Sequence, residues 1–244
     1  MKKLFFLVII AYLFTACNKD DGCGCFESTG KDITENRDIG DFNNIELSNN
    51  INLEIIQDTV NSITITGGKN VLKGVETYCK DDILYIKNNN KCNWARSFKR
   101  KINAVLRVKK LNGISYDGTG TINSENALQT DIFTFDCWEG AGDIELKIYA
   151  YATHINMHTG TSNIQVSGKS KNNYIYTFSY GKIDCKDLHC QNLYITHRGT
   201  NDCFVYATGE MIVNIRYIGN VYYYGNPSYI ESKIESTGQL IPLY

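Results

Sequence analysis

The sequence lacks several features that would assign it to a familiar class. Its 25 basic and 26 acidic residues leave a net charge of −1, which argues against a broad electrostatic grip on nucleic acid. After the first sixteen residues, no apolar run is long enough for a transmembrane helix. Only two of the 244 residues are proline, whereas 43% are hydrophobic and 12% aromatic. Such a chain is too apolar and too aromatic for a disordered protein.

Catalytic and metal-binding motifs are also missing. The sequence contains no Gly-x-Ser-x-Gly, no P-loop and no dinucleotide fingerprint. No Cys-x-x-Cys pair and no suitably spaced histidine indicates zinc. Gly-x-Gly does occur, but between strands rather than before a helix, where it would not cradle a phosphate. We therefore predict no enzyme activity, no metal and no cofactor.

The N-terminus has the pattern of a bacterial targeting segment. A positive start, Met1-Lys2-Lys3, precedes an apolar run over residues 4–13. Ala16-Cys17 then resembles a lipobox, with Phe14 as its departure from the usual pattern. We predict a signal peptide over residues 1–16 and a lipid-bearing Cys17, which would attach the protein to a membrane. The alternative is an ordinary secretory signal cleaved near Ala16.

The residues after the cysteine bear on location. Lys19-Asp20-Asp21 is similar to the surface-export signal of lipoproteins in some Gram-negative bacteria. A plain polar tether is the alternative. We predict a lipidated N-terminus and tether over residues 17–36, and a protein anchored in the outer membrane and exposed on the cell surface.

A repeat of about twenty residues organises the rest of the chain. Seven Gly-rich turns recur at near-constant spacing, with centres at Gly120, Gly142, Ser162, Gly181, Asn201, Gly219 and Gly238. The residue one step after each centre is polar. The residue two steps after is apolar in every copy: Ile122, Ile144, Ile164, Ile183, Cys203, Val221 and Leu240. This alternation is typical of a β-strand with one buried face.

Such a short repeat cannot bury its apolar side alone, so successive copies must stack. The sequence therefore predicts an all-β fold, a single-stranded parallel β-helix (solenoid) with a rung of about 20 residues. We place this domain at residues 37–244, with irregular first rungs over 37–110 and regular rungs over 111–244.

Several of these segments carry a family resemblance. The turns "GTGTI" and "GAGDI", the opening "FNNIELSNNINLEIIQ", the run "GGKNVLKGVETYCKDDILYIK" and the ending "GNVYYYGNP…STGQL" together resemble the family named "putative auto-transporter adhesin, head GIN domain". The resemblance covers roughly residues 37–240. It implies a right-handed parallel β-helix on exported or lipid-anchored bacterial proteins, with no catalytic residues to carry over.

The cysteines and histidines favour structural roles. Cys79 and Cys92 flank a predicted strand and are a candidate disulfide. Cys185 and Cys203 fall in the inward columns, where small core residues are expected. The four histidines, His154, His158, His189 and His197, are expected on the surface or in turns.

Charged residues offer little chemistry. Asp143 and Asp202 share an outward column but lie three rungs apart, about 14 Å, which is too far for a pair of catalytic acids. The basic run Arg96, Lys99, Arg100 and Lys101 could contact anionic headgroups or polysaccharide, or could be a solvated loop.

The last rungs carry the candidate contact surface. Phe204, Tyr206, Tyr222 and Tyr224 lie at outward positions of adjacent rungs, and we expect them to form a flat aromatic patch for sugar rings or a partner's apolar side chains. The alternatives are that a loop or the C-terminal tail covers them, or that the strand register shifts by one residue.

The function that these patterns favour is a non-enzymatic, lipid-anchored surface protein. It would act as an adhesin or ligand-binding solenoid, with a glycan or a surface protein as its partner and no nucleic acid. The alternatives are a polysaccharide-active β-helix enzyme and an envelope structural or signalling component without an external ligand. The oligomeric state is left open by the sequence.

Overall fold

Parallel strands stacked into a β-solenoid form most of the molecule. The computed structural model describes residues 28–91 and 101–243. It is 63% strand and 2% helical, with about six solenoid turns spaced about 20 residues apart. The all-β parallel solenoid predicted from the sequence is therefore confirmed. No helix within the described ranges is long and apolar enough to span a membrane.

Long strands dominate the regular part of the solenoid, where three strands each run for 15 residues. The strands here are β8 (Gly113–Gly118), β9 (Ile122–Ser124), β10 (Leu128–Cys137), β11 (Asp143–Met157), β12 (Asn163–Thr177), β13 (Ile183–His197), β14 (Cys203–Tyr206), β15 (Glu210–Ile215), β16 (Val221–Tyr224), β17 (Tyr229–Ile234) and β18 (Leu240–Pro242).

Each long strand contributes to two faces of the solenoid. In β11 the alternation of buried and exposed residues changes phase at Ala152 and Thr153, which are both buried. We call the first halves of β11, β12 and β13, with β9, β14, β16 and β18, face A. Face B contains β8, the second halves of β10 to β13, β15 and β17. The Gly-rich turns that lead from face B to face A form the glycine corner.

The core lies between the two faces and contains the predicted ladder. Ile164 pairs directly with Ile144 below and Ile183 above, and all three are at most 2% exposed. The same column runs through Ala104, Leu53, Ile122, Ile144, Ile164, Ile183, Cys203, Val221 and Leu240. Stacking the apolar residues of successive rungs on one another buries apolar area on every rung.

Close backbone approach explains the glycines at the turn centres. A Cβ added to Gly142 would collide with the carbonyl oxygen of Gly120, and one added to Gly181 would collide with that of Ser162. The polar residues that follow the centres tie neighbouring rungs together. Oδ1 of Asn163 accepts a hydrogen bond from the backbone N–H of Lys182 at 3.3 Å.

The N-terminal part, where the sequence predicts irregular first rungs, does not follow the chain order of a simple stack. Its elements are β1 (Asp32–Arg37), β2 (Asn44–Asn49), β3 (Asn52–Gln57), β4 (Ser62–Gly68), the short helix α1 (Lys69–Leu72), β5 (Val75–Lys80), β6 (Ile83–Asn88) and β7 (Asn103–Val108). Strands β2 and β3 form a coil that is flanked on one side by β8 and β9 and on the other by β6 and β7. The parallel coil of β6 and β7 therefore lies beyond the coil of β2 and β3, although it comes later in the chain.

Antiparallel strands close this end of the solenoid. β5 pairs with β6, β4 with β7, and β1 with β4. Because β1 begins at Asp32, a strand of this end lies partly inside the segment predicted as a tether. The sequence pattern did not reveal that these strands pair antiparallel, since alternation alone does not distinguish parallel from antiparallel pairing.

Candidate functional site

The four aromatic residues predicted as a patch lie on the outward side of face A. Phe204 stands beside Tyr222, and Tyr206 beside Tyr224, while Val205 between them is buried. The structure thus has the strand register expected from the sequence. The rings of Phe204 and Tyr222 stack with centroids 5.0 Å apart, and all four residues are half-buried. Phe204 and Tyr222 therefore cover part of each other's ring faces.

Neighbouring polar residues cover the patch further. Nζ of Lys182 lies 4.5 Å from the centroid of the Phe204 ring and 3.0 Å from Oδ2 of Asp184. The imidazole of His189 stacks on Tyr206 with a centroid distance of 4.3 Å. The exposed area that remains for a ligand is therefore limited.

A second aromatic ladder, not predicted from the sequence, lies on face B. The rings of His154, Tyr174 and Tyr194 stack in succession, with centroids 4.7 and 5.0 Å apart. The hydroxyl of Tyr194 donates a hydrogen bond to the carboxylate of Glu210, and this contact raises the pKa of Tyr194 to about 12. In this ladder too, the rings cover much of one another's surface.

Several strongly exposed aromatic side chains lie at the glycine corner. Tyr180 is 68% exposed, Phe178 51% and Tyr217 48%. Together with two arginines they surround an open cleft of about 410 Å³. We call this the corner cleft, lined by Phe178, Ser179, Tyr180, Arg198, Thr200, Arg216 and Tyr217.

The rung repeat itself positions these side chains. Backbone hydrogen bonds stack the first turn residues in order: Phe178 N–H donates to Met157, Arg198 N–H to Thr177 and Arg216 N–H to His197. Phe178 and the two arginines therefore occupy one column. Hydrophobic periodicity does not reveal this column, because turn residues do not follow it. The bulky residue that follows the end of each inward strand is the sequence signal that marks the column.

The two arginines have different electrostatic surroundings. Arg216 lies 3.6 Å from a carboxylate oxygen of Glu235. Arg198 has no carboxylate within ion-pair distance in the described part of the chain, and its guanidinium lies over the Phe178 ring at 5.1 Å. The cleft therefore holds one cation whose charge is not neutralised by a direct partner, which favours an anionic or strongly hydrogen-bonding ligand.

His197 contradicts the expected surface position. It lies in an inward column between Thr177 and Ile215 and is 1% exposed. His158, by contrast, follows Met157 and occupies the column of Phe178, one residue later along its rung. Nδ1 of His197 accepts a hydrogen bond from the N–H of Gly199 at 3.4 Å.

The thiols near His197 are poor nucleophiles. Cys185 and Cys203 are core residues as predicted, at most 1% exposed, and burial raises the pKa of both thiols. A reactive Cys–His pair needs an accessible thiolate, which these two residues do not provide. Within residues 28–91 and 101–243, no cluster of His, Cys, Asp and Glu could hold a metal ion.

Several predicted sites lie outside the described residues. These are Cys17, Cys92 and the basic residues Arg96, Lys99 and Arg100. Cys79 is described, with Sγ 3.8 Å from the carbonyl oxygen of Gly40. Its pairing with Cys92 therefore stays a prediction.

The fold and its surface define a class: a parallel β-solenoid with outward aromatic ladders. The family is equally clear. The sequence profile described as "putative auto-transporter adhesin, head GIN domain" matches residues 41–227, more than three quarters of the chain. The protein belongs to this family, as the sequence motifs predict. No curated protein matches the chain significantly.

Solved structures share the fold. A protein described as a putative adhesin from Bacteroides fragilis superimposes with a TM-score of 0.82 at 22% identity, covering 87% of this chain and 97% of its own. A protein described as a putative lipid-binding protein from Parabacteroides distasonis gives 0.69 at 18% identity, with coverages of 89% and 98%. A putative adhesin from the same species gives 0.63 at 18%, with coverages of 88% and 98%.

Proposed function

We propose that this protein is a non-enzymatic adhesin of the bacterial cell surface that binds a glycan in the corner cleft. The observation that carries the proposal is the cleft itself, which is lined by three exposed aromatic side chains and by Arg198, whose guanidinium lies over the Phe178 ring. Membership of an adhesin family supports the same role.

The chemistry of the cleft suits a sugar. Aromatic rings such as Tyr180 and Tyr217 present flat apolar surfaces that pack against the C–H faces of pyranose rings. A planar guanidinium donates paired hydrogen bonds to a carboxylate or to neighbouring hydroxyls. The ligand class is therefore a glycan, with Arg198 selecting acidic units.

An enzymatic role has little support. The outward column that contains Asp143 and Asp202 has Asn163 and Lys182 between them, so these two carboxylates cannot act on one glycosidic bond. A polysaccharide-active enzyme is the main alternative and an envelope component without a ligand is the other.

We also propose that Cys17 carries the lipid that anchors the protein in the outer membrane, with the solenoid on the outer face. The support is the positively charged start, the apolar run and the Ala16-Cys17 lipobox. A surface location is consistent with membership of an adhesin family.

The test uses the purified full chain on an array of neutral and acidic glycans. Tyr180→Ala with Tyr217→Ala should abolish binding, and Arg198→Ala should remove the preference for acidic sugars. The matched control is Tyr222→Ala with Tyr224→Ala, which alters the stacked patch on face A. Binding lost only in that control would move the site to face A, and turnover of any array glycan would replace the adhesin proposal with the enzyme.

A further inference from the structure

The last strand of face B leaves the end of the core open. β17 pairs with β15 along one edge, and within the described residues no strand pairs with its other edge. Ile230 and Ile234 continue the inward columns of Met211 and Ile215. They are nevertheless 41% and 46% exposed, whereas Met211 and Ile215 are fully buried. An unprotected edge with apolar residues is a template for pairing with another strand.

The direction of the backbone groups in β17 follows from its bonds to the rung before. The N–H of Tyr229 donates to Gly209 at 3.2 Å, and the N–H of Glu235 donates to Ile215 at 2.8 Å. Backbone groups alternate in direction along a strand. The N–H and C=O groups of Ile230, Ser232 and Ile234 therefore point away from the solenoid, toward the open edge.

The sequence of this edge is complementary to itself. Around Ser232 it reads Ile230-Glu231-Ser232-Lys233-Ile234. A two-fold axis at Ser232 sets Ile230 opposite Ile234 of the partner subunit. The same axis sets Glu231 opposite Lys233 of the partner subunit, in two equivalent ion pairs.

The hydrogen-bond pattern agrees with a two-fold axis at Ser232. Antiparallel pairing about Ser232 makes hydrogen-bonded pairs of the residues whose backbone groups face outward. Glu231 and Lys233 then fall at non-hydrogen-bonded positions, where opposed side chains lie closest. Apolar, hydrogen-bonding and charge complementarity therefore select the same register.

We infer that the terminal edge (Tyr229–Ile234) docks a second copy of this chain, tail to tail, in a two-fold dimer. The antiparallel β17 strands continue face B from one subunit into the next and cover the open end of the core. On face A the last strand contains Pro242, which lacks an N–H and limits pairing there. The opposite end of each solenoid carries antiparallel strands, so the assembly closes at two subunits.

Charge-reversal variants of the full chain test this register. The mass of each variant is measured in detergent by light scattering. Wild type should have the mass of a dimer. Glu231→Lys alone and Lys233→Glu alone each place like charges opposite one another and should weaken dimerisation by at least about tenfold. Mixing the two variants should restore a heterodimer, which also shows that both have folded. Lys147→Glu, an exposed site in the middle of face A, is the matched control and should stay dimeric.

A cysteine at the two-fold axis gives an independent readout on intact cells. Hydrogen-bonded antiparallel partners have Cα atoms about 5.5 Å apart, within the range of a disulfide. Ser232→Cys should therefore form a covalent dimer under mild oxidation, whereas Ser228→Cys should not. A monomeric wild type, a larger polymer, capture of a different protein by the introduced thiol, or failure of the mixed variants to associate would each overturn the inference.

Discussion

Nδ1 of His197 lies 3.6 Å from Sγ of Cys203 inside the solenoid, where neither side chain reaches solvent. Nε2 of the same histidine finds no hydrogen-bond partner in the described part of the protein. Burial lowers the pKa of His197, and this effect exceeds the opposite influences of the Asn201 backbone and the Asp202 charge. The histidine is therefore held neutral in the folded state.

Stability should fall in mild acid because of this residue. Below the unfolded value of about 6.5, the unfolded chain binds a proton that the folded chain excludes. The free energy of unfolding should then decrease by up to about 1.4 kcal/mol per pH unit until the folded pKa is reached. Denaturant unfolding between about pH 7.5 and pH 5 measures this slope.

His197→Met removes the titrating group and places in this column the residue found at Met157. The free energy of unfolding of this variant should therefore lack the pH dependence that one titrating proton contributes. His189→Gln, at an exposed position, should keep the wild-type slope. An unchanged slope in His197→Met would mean that another group controls acid stability.

The ladder on face A predicts a large difference between two adjacent residues. Ile164→Ala leaves a cavity between Ile144 and Ile183 and should cost about 2–5 kcal/mol of unfolding free energy. Asn163→Ala removes hydrogen bonds to Asp143 and to the backbone of Lys182, which should cost about 0.5–1.5 kcal/mol. Equal losses in urea denaturation would contradict the assigned inward and outward positions.

Close packing at the glycine corner predicts that Gly142 is not replaceable. Gly142→Ala drives a methyl group into the carbonyl of Gly120 and should destabilise the fold by about 1–3 kcal/mol. Gly40→Ala is the matched control, because its added Cβ meets only Cys79, at 3.7 Å. Its change should stay within about 1 kcal/mol. Thermal unfolding of both variants distinguishes crowding from a general effect of glycine loss.

Lipidation at Cys17 is tested by metabolic labelling. Wild type should incorporate labelled palmitate and be cleaved before Cys17. Cys17→Ser should remain an unlabelled precursor. Protease shaving of live cells expressing wild type then reports whether the solenoid faces outward, and a protected chain would contradict surface exposure.

Alternation and turn spacing predicted the regular rungs well because each rung obeys the same local rule. The column Ile144, Ile164 and Ile183 could therefore be assigned before its structure was known. His197 was misplaced because rung lengths vary by one or two residues, and a shift of one residue moves a side chain from surface to core.

The residues of the corner cleft could not be brought together from the sequence pattern. Tyr180 and Tyr217 belong to turns, where no period constrains side-chain direction, and only the stacking of rungs brings them together. Similarly, the position of β6 and β7 beyond β2 and β3 depends on contacts between distant segments, which local patterns do not encode.

The interleaved first coils set an order of events for a growing chain. Strands β2 and β3 lie between β6 and β7 on one side and β8 and β9 on the other, so both of their neighbours are made later. The chain cannot wind up rung by rung from its N-terminus. The strands of the first coil keep unpaired edges until the chain has been synthesised as far as Ser124. During that interval, these edges must be protected from pairing with other strands.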